Sequence, residues 1–269
     1  MVLYKELVRI YSELGDTRGI AGALINQAIV LRTRDKLDKS MSLLKEAERL
    51  SQEHGYLDVL SVALGNQANL LFYRGDLGGA LALAQEHERL CRQLGDRQGL
   101  QSSVGNQANI LAARGDRRAA MDLHKQKESI CRELGYKHGL HNALANQARM
   151  LFEMGDLEAP MALLEEAEKI CRELGDRQGL ESTLGIQAGV LEAQGDFDGA
   201  LERSKAQEVL CRELGSFVEL AGCLANQALT CLKTGNRSEA KPLAEEAYRL
   251  AKKHGHPALR SIKAIRDAT

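Results

Sequence analysis

The chain has 269 residues, a formal net charge of −1, 44% apolar and 27% charged residues, and no Trp. A near-neutral charge without a broad basic face excludes the electrostatic footprint of a nucleic-acid binder or of a protein drawn to acidic membranes. No run of about 18 apolar residues is present to form a membrane-spanning helix. Only three prolines, Pro160, Pro242 and Pro257, interrupt a sequence rich in Ala, Leu, Glu, Arg and Gln, so helix is favoured nearly everywhere.

In chain order, residues 1–15 (MVLYKELVRIYSELG) carry charges throughout and contain no apolar h-region, so they do not read as a signal peptide. From residue 16 the sequence repeats with a period of 40. Gln27, Gln67, Gln107, Gln147, Gln187 and Gln227 form one column, each followed by Ala. Gly15, Gly55, Gly95, Gly135, Gly175, Gly215 and Gly255 form a second. Gly75, Gly115, Gly155, Gly195 and Gly235 form a third, with Asp35 in its first place. Each Gly suits the left-handed turn just past a helix. The residue after it is often Asp or Asn, as at Asp16, Asp76, Asp96, Asp116, Asp156, Asp176, Asp196 and Asn236, and these are good N-caps. Six helix–turn–helix units follow at 16–55, 56–95, 96–135, 136–175, 176–215 and 216–255. Residues 1–15 align with the second helix of a preceding unit, and 256–269 with the start of a further first helix, Pro257 lying near its N-terminus. The array starts and stops in mid-unit, where solenoids normally carry capping repeats. The expectation is therefore a piece of a longer protein. Pro160 falls near the start of its second helix, where a missing N–H costs little. Pro242 falls deeper, so its helix either starts near Ser238 or kinks.

The unit resembles the tetratricopeptide repeat (TPR). The matching pattern is a small residue, a Leu three residues on, then Gly-Asp, then Ala five residues after the Gly: Ala68, Leu71, Gly75-Asp76 and Ala80 in the second unit. That last Ala recurs at Ala120, Ala200 and Ala240, while Ser40 and Pro160 depart from it. A 40-residue period is longer than the common TPR and resembles the Pins/LGN spindle adaptors and kinesin light chains. Similar arrays follow the ATPase domain of some signal-transducing STAND proteins. The resemblance covers nearly the whole chain. It implies an all-α fold: a right-handed α-solenoid, or superhelix, of antiparallel helix pairs.

Helical periodicity divides each first helix into two faces. Leu64, Ala68 and Leu71 lie on the core stripe; Val62, Asn66, Asn69 and Tyr73 lie opposite, and Gln67 falls at the edge of the core stripe. The Asn column is Asn26, Asn66, Asn106, Asn146 and Asn226, with Ile186 breaking it. The residue before it is usually small, as at Gly65, which would clear space beside the amide. Second helices such as LLEEAEKICREL (163–174) are heavily charged and read as a solvated outer surface. In the resembled family the first helices line a concave groove, and an Asn at this position can pair with the backbone of an extended peptide. An amide offers both a donor and an acceptor, matching a peptide unit. A ladder of them grips backbone while neighbouring side chains select sequence. Those neighbours are Asn69, Asn109, Arg149, Tyr73 and Phe72. The bland alternative is that the Asn side chains bond only to adjacent helices or water. Gln, half-buried between stacked helices, is expected to fix the stacking register. The family more often has an apolar residue there.

Cys91, Cys131, Cys171 and Cys211 share one repeat position, too widely spaced for serial disulfides, and no zinc-ligand spacing occurs. They and Cys223 and Cys231 read as buried free thiols, which implies a reducing, cytoplasmic compartment. The His residues form no triad with Ser or Cys, and the Gly-Asp turns are not phosphate loops. No catalytic residue, cofactor or metal site is expected, and enzymatic activity is not predicted. Arg34, Arg74 and Arg114 form a short basic row that reads first as surface charge. The expected function is a protein-interaction scaffold holding an extended peptide or protein segment in the groove, without nucleic-acid or membrane partners. Two alternatives stand beside it: a sensor or regulatory arm of a larger signalling protein such as a STAND ATPase, and self-association through uncapped ends.

Overall fold

The structure is a computed structural model describing residues 2–269. Among these residues it contains fourteen α-helices and no strand. α1 (Val2–Glu13) is followed by the pairs α2 (Thr17–Arg32)/α3 (Leu37–His54), α4 (Leu57–Tyr73)/α5 (Leu77–Leu94) and α6 (Arg97–Ala113)/α7 (Arg117–Leu134). Then come α8 (Lys137–Glu153)/α9 (Ala159–Leu174), α10 (Arg177–Gln194)/α11 (Phe197–Leu214) and α12 (Phe217–Lys233)/α13 (Arg237–His254), and finally α14 (Leu259–Ala268). The helices form two compact units, one ending at Gly139 and one beginning at Leu140.

Local chemistry sets the boundaries. Each of the eight expected Asp and Asn caps accepts a backbone N–H within three residues; Asp76, for example, accepts from Gly79 at 2.9 Å. The first repeat shows what the Gly-Asp turn requires. Asp35 stands where Gly stands in the other repeats and takes the same left-handed conformation, φ 55°, a region short polar side chains tolerate. Lys36 then occupies the cap position, and α3 begins without a side-chain cap. α9 starts at Ala159, with Pro160 buried in its first turn, and Asp156 accepts from both Glu158 and Ala159. α13 begins at Arg237, beside the expected Ser238, and carries Pro242 inside it. The proline lacks the amide that would have bonded the Ser238 carbonyl.

In the first unit each first helix packs on its own second helix and on the second helix before it. α2 also touches α4, and α4 touches α6; no comparable contact joins α3 to α5 or α5 to α7 among the described residues. The first helices therefore form the inner side of this unit. Their close approach follows from the Ala column: Ala28, Ala68 and Ala108 are fully buried. Leu44, Ala47 and Leu70 fill one layer, and Ala80, Ala84 and Ile110 the next. In the second unit Ala148, Leu164 and Val190 form one layer, and Leu220, Leu224, Leu250 and Ile262 another. Burial of each such Leu is worth roughly 1.5–3 kcal/mol. No helix is long and apolar enough to cross a membrane.

Candidate peptide-binding face

The Asn and the Gln of each repeat separate as their angular positions require. All six column Gln residues are buried, while the Asn residues are half-buried or exposed. Gln67 Nε2 donates to Glu48 Oε2 at 2.7 Å, Gln187 to Glu168 at 2.9 Å and Gln227 to Glu208 at 2.9 Å. Gln107 donates to Glu88 in the same way. Every such bond runs from a first helix to the second helix of the preceding repeat. The far carboxylate oxygen is held within its own helix: Glu88 by Arg92 at 2.6 Å, Glu168 by Arg172 at 2.8 Å and Glu208 by Arg212 at 2.8 Å. Burial pushes the Glu168 carboxyl up, but hydrogen bonds from Gln187 and Arg172 and the charge of Arg203 leave it below the usual carboxylate range. The Gln column thus ties repeat to repeat. Its Glu partners, Glu48, Glu88, Glu168 and Glu208, fall on a 40-residue period visible in the sequence, but they lie 19 residues from the Gln they serve, beyond the reach of a reading of local periodicity.

On the opposite face the side chains are far less committed. Asn66 donates to the Val62 carbonyl of its own helix at 2.9 Å, and the Asn146 amide oxygen accepts from Arg149. Asn26 and Asn226 are exposed, Asn106 and Asn69 half-buried, and Asn109 and Arg149 exposed. Tyr73 is 63% exposed, with the Arg32 guanidinium of the preceding repeat 5.3 Å from its ring centre. Phe72 leans into the core layer of Ala68 and Ala80. Arg74 is paired with Asp38 of the preceding repeat at 2.5 Å. Gly65 does not clear space beside Asn66. It is buried, and a Cβ there would stand 2.8 Å from the His87 ring of the same repeat. Gly105 and Gly185 are filled from beneath in the same way, by Lys127 and Gln207.

In the second unit the first-helix face opens into a groove of about 490 Å³ between α8, α10 and α12. It collects two of the expected residues, Arg149 and Asn226, together with the column-breaking Ile186. It also contains a residue that sequence reasoning passed over. Glu181 is only 5% exposed; Gln207 Nε2 donates to its Oε1 at 2.6 Å, and the Cys211 thiol lies 3.5 Å from the same oxygen. Its signal was its column: Ala21, Ser61, Gln101, His141 and Ala221 hold that position elsewhere, and none is acidic.

All six cysteines are free and buried. Burial pushes their thiols up, Cys171 to about 11 and Cys223 to about 12. His141 is buried against Asp176 at 3.1 Å.

The model of the family described as anaphase-promoting complex subunit 5 matches residues 12–74 and 116–193, together just over half of the chain. Comparison with curated protein sequences finds no match. Among solved structures, the chain is similar to a STAND protein with a tetratricopeptide repeat sensor from Pyrococcus horikoshii (TM-score 0.76, 18% identity). That match covers 99% of this chain and 42% of that one. The apo quorum sensor NprR from B. thuringiensis gives a TM-score of 0.73 at 16% identity, covering 97% and 76%. A P. anserina kinesin light chain with nearly identical TPR-like repeats gives 0.57 at 17% identity, covering 71% and 95%. These structures share the helical-repeat solenoid architecture, and by the family match the chain belongs to the anaphase-promoting complex subunit 5 family, as a TPR-type repeat protein.

Proposed function

We propose that this chain is a protein-interaction scaffold that holds an extended peptide or protein segment on its first-helix face. The observation that carries the reading is the groove of the second unit, which lies on that face and is lined by Arg149 and Asn226. The Asn side chains that line this face, Asn26, Asn66 and Asn106 in one unit and Asn146 and Asn226 in the other, offer donors and acceptors of the kind a peptide backbone needs. The family's description as a subunit of a complex, and that of NprR as a quorum sensor, are in keeping with a protein or peptide ligand. The test is a binding titration of a partner captured from the source cell against an Asn66→Ala/Asn106→Ala/Asn146→Ala variant. Weakened binding by a variant of unchanged melting temperature supports the ladder; unchanged affinity removes it.

Two further readings have an observation each. The overlay on the STAND sensor supports a sensor arm that uses this same face; a partner that binds without altering the activity of any attached domain would count against it. Leu3, Leu7, Ile10 and Leu14 form an exposed apolar stripe on and just after α1, which supports self-association. Light scattering that shows a strict monomer over a wide concentration range would exclude it.

A further inference from the structure

We infer that the groove between α8, α10 and α12 selects a basic side chain, lysine or arginine, of the segment bound there. The inference rests on the peptide-binding reading above and goes beyond it by giving the face a charge preference. Three departures from the repeat pattern fall on one face of α10. Glu181 replaces a neutral or His position, Ile186 breaks the Asn column, and Gly189 replaces the Asn, Arg or aliphatic residue found at Asn69, Asn109, Arg149, Ile29 and Leu229. The Gln and Ala columns are explained by packing between repeats, and the Gly and Asp columns by turns and caps. Positions at which a single repeat departs have no such explanation and are where a ligand preference can be written.

Glu181 is the centre of that departure. It is nine-tenths buried, it lines the groove, and its Oε1 is occupied by Gln207 and Cys211. Among the described residues no bond reaches its Oε2, and no Lys, Arg or His pairs with the carboxylate. A buried carboxylate without a cation is costly unless something compensates it. The Cys211 thiol, held protonated by burial and by the Glu181 charge, donates a weak hydrogen bond to Oε1 but brings no positive charge. Gly185, one turn along the same helix, leaves room for Gln207 to reach the carboxylate, and Gly189, two turns along, lies beside the Phe152 ring. Beside Glu181 the groove is lined by the exposed Glu219, and the guanidinium that lines it, Arg149, is turned to Asn146. Phe152 and Ile186 supply apolar surface. A lysine or arginine matches both features, laying its methylene stem on the apolar residues and its charged head on the carboxylates. An acidic or purely apolar side chain matches only one.

The experiment uses the full chain and short Ala/Ser host peptides that differ only at one central residue, Arg, Lys, norleucine or Glu, followed by fluorescence anisotropy. Arg and Lys peptides are expected to bind about tenfold more tightly than the norleucine peptide, and the Glu peptide more weakly than either. Glu181→Gln, nearly isosteric and checked by thermal melting, should bring the preference to within about twofold. Glu219→Gln, exposed and outside the core, should reduce it by about threefold, so the inference stays testable if Glu181→Gln fails to fold. Asn226→Ala should weaken all four peptides alike and leave the preference unchanged. Binding without a basic preference, or a preference that survives both Glu variants, overturns the inference and leaves the scaffold reading standing. Failure of every peptide to bind overturns both.

Discussion

The seam between repeats and the first-helix face are built from adjacent residues, yet they are chemically unlike. At the seam each Gln is buried; Gln67, Gln107, Gln187 and Gln227 spend their amides on a carboxylate of the preceding repeat, which Arg or Gln holds from the other side, and Gln27 donates to the Tyr4 carbonyl. On the face, one residue earlier, Asn66 spends one donor on its own helix, and among the described residues no bond reaches its amide oxygen. A rotation of about 100° between neighbouring helical residues moves an amide from a low-dielectric interface to an open surface. The same functional group therefore gives register in one place and, in the other, the donor and acceptor that the proposed peptide contact would use. Within the open face, the groove around Ile186 differs again, because one repeat places an acid where the others have none and an apolar residue where the others have Asn.

The sharpest way to break the contrast is to substitute the two neighbours separately. Gln107→Leu should lower stability by roughly 1–3 kcal/mol, because it removes the amide from the partly buried Glu88. Adding Glu88→Leu should recover most of that loss, since two apolar groups then meet across the seam. Chemical denaturation of the two variants measures both effects.

The thiols extend the comparison to alkaline pH. Their folded values lie above the unfolded value of about 8.5, near 11 for Cys171 and 12 for Cys223. The stability this represents is fully present below about pH 8.5 and declines as pH rises towards those values. Native protein at pH 8 should also be alkylated about 100-fold more slowly than unfolded protein, with all six thiols reacting once it unfolds. Rapid modification of the native chain would contradict the buried placement.

On the acid side the seam carries the dependence. Glu168 is held below its ordinary value, so its contribution is present above about pH 4.3 and is lost as pH falls through its folded value. Gln187→Leu removes one of the bonds that lowers it and should start the acid loss at higher pH. A melting series across pH 3–6 compares the variant with the parent.

The smallest stability effect belongs to the open face. Asn106→Ala should change stability by less than about 0.5 kcal/mol, in contrast with Gln107→Leu next to it. A loss as large as that of the Gln variant would make Asn106 structural and remove it from the proposed binding face.

Much of the architecture was legible because it is local. Glycines with positive φ fall at the columns read from the sequence, and Asp35 takes the same conformation in the repeat that lacks Gly. The caps lie within three residues of the amides they satisfy. The division of Asn from Gln followed from helical periodicity alone. The site was less legible. Gly65 read as open space beside Asn66, but the His87 ring, 22 residues away on another helix, fills it. Tyr73 lies opposite the core stripe as expected, but it meets Arg32 of the preceding repeat.

The sequence by itself determined the period, the helix boundaries, the caps, and which amide of each pair is buried. These depend on backbone conformations and hydrogen bonds between residues close in the chain. Only the tertiary structure decided which group on the preceding helix a Gln would meet, what fills the space at Gly65, Gly105 and Gly185, and that Glu181, Ile186 and Gly189 share one groove with Arg149 and Asn226. Those facts depend on side chains contributed by different helices, whose meeting no single stretch of sequence encodes.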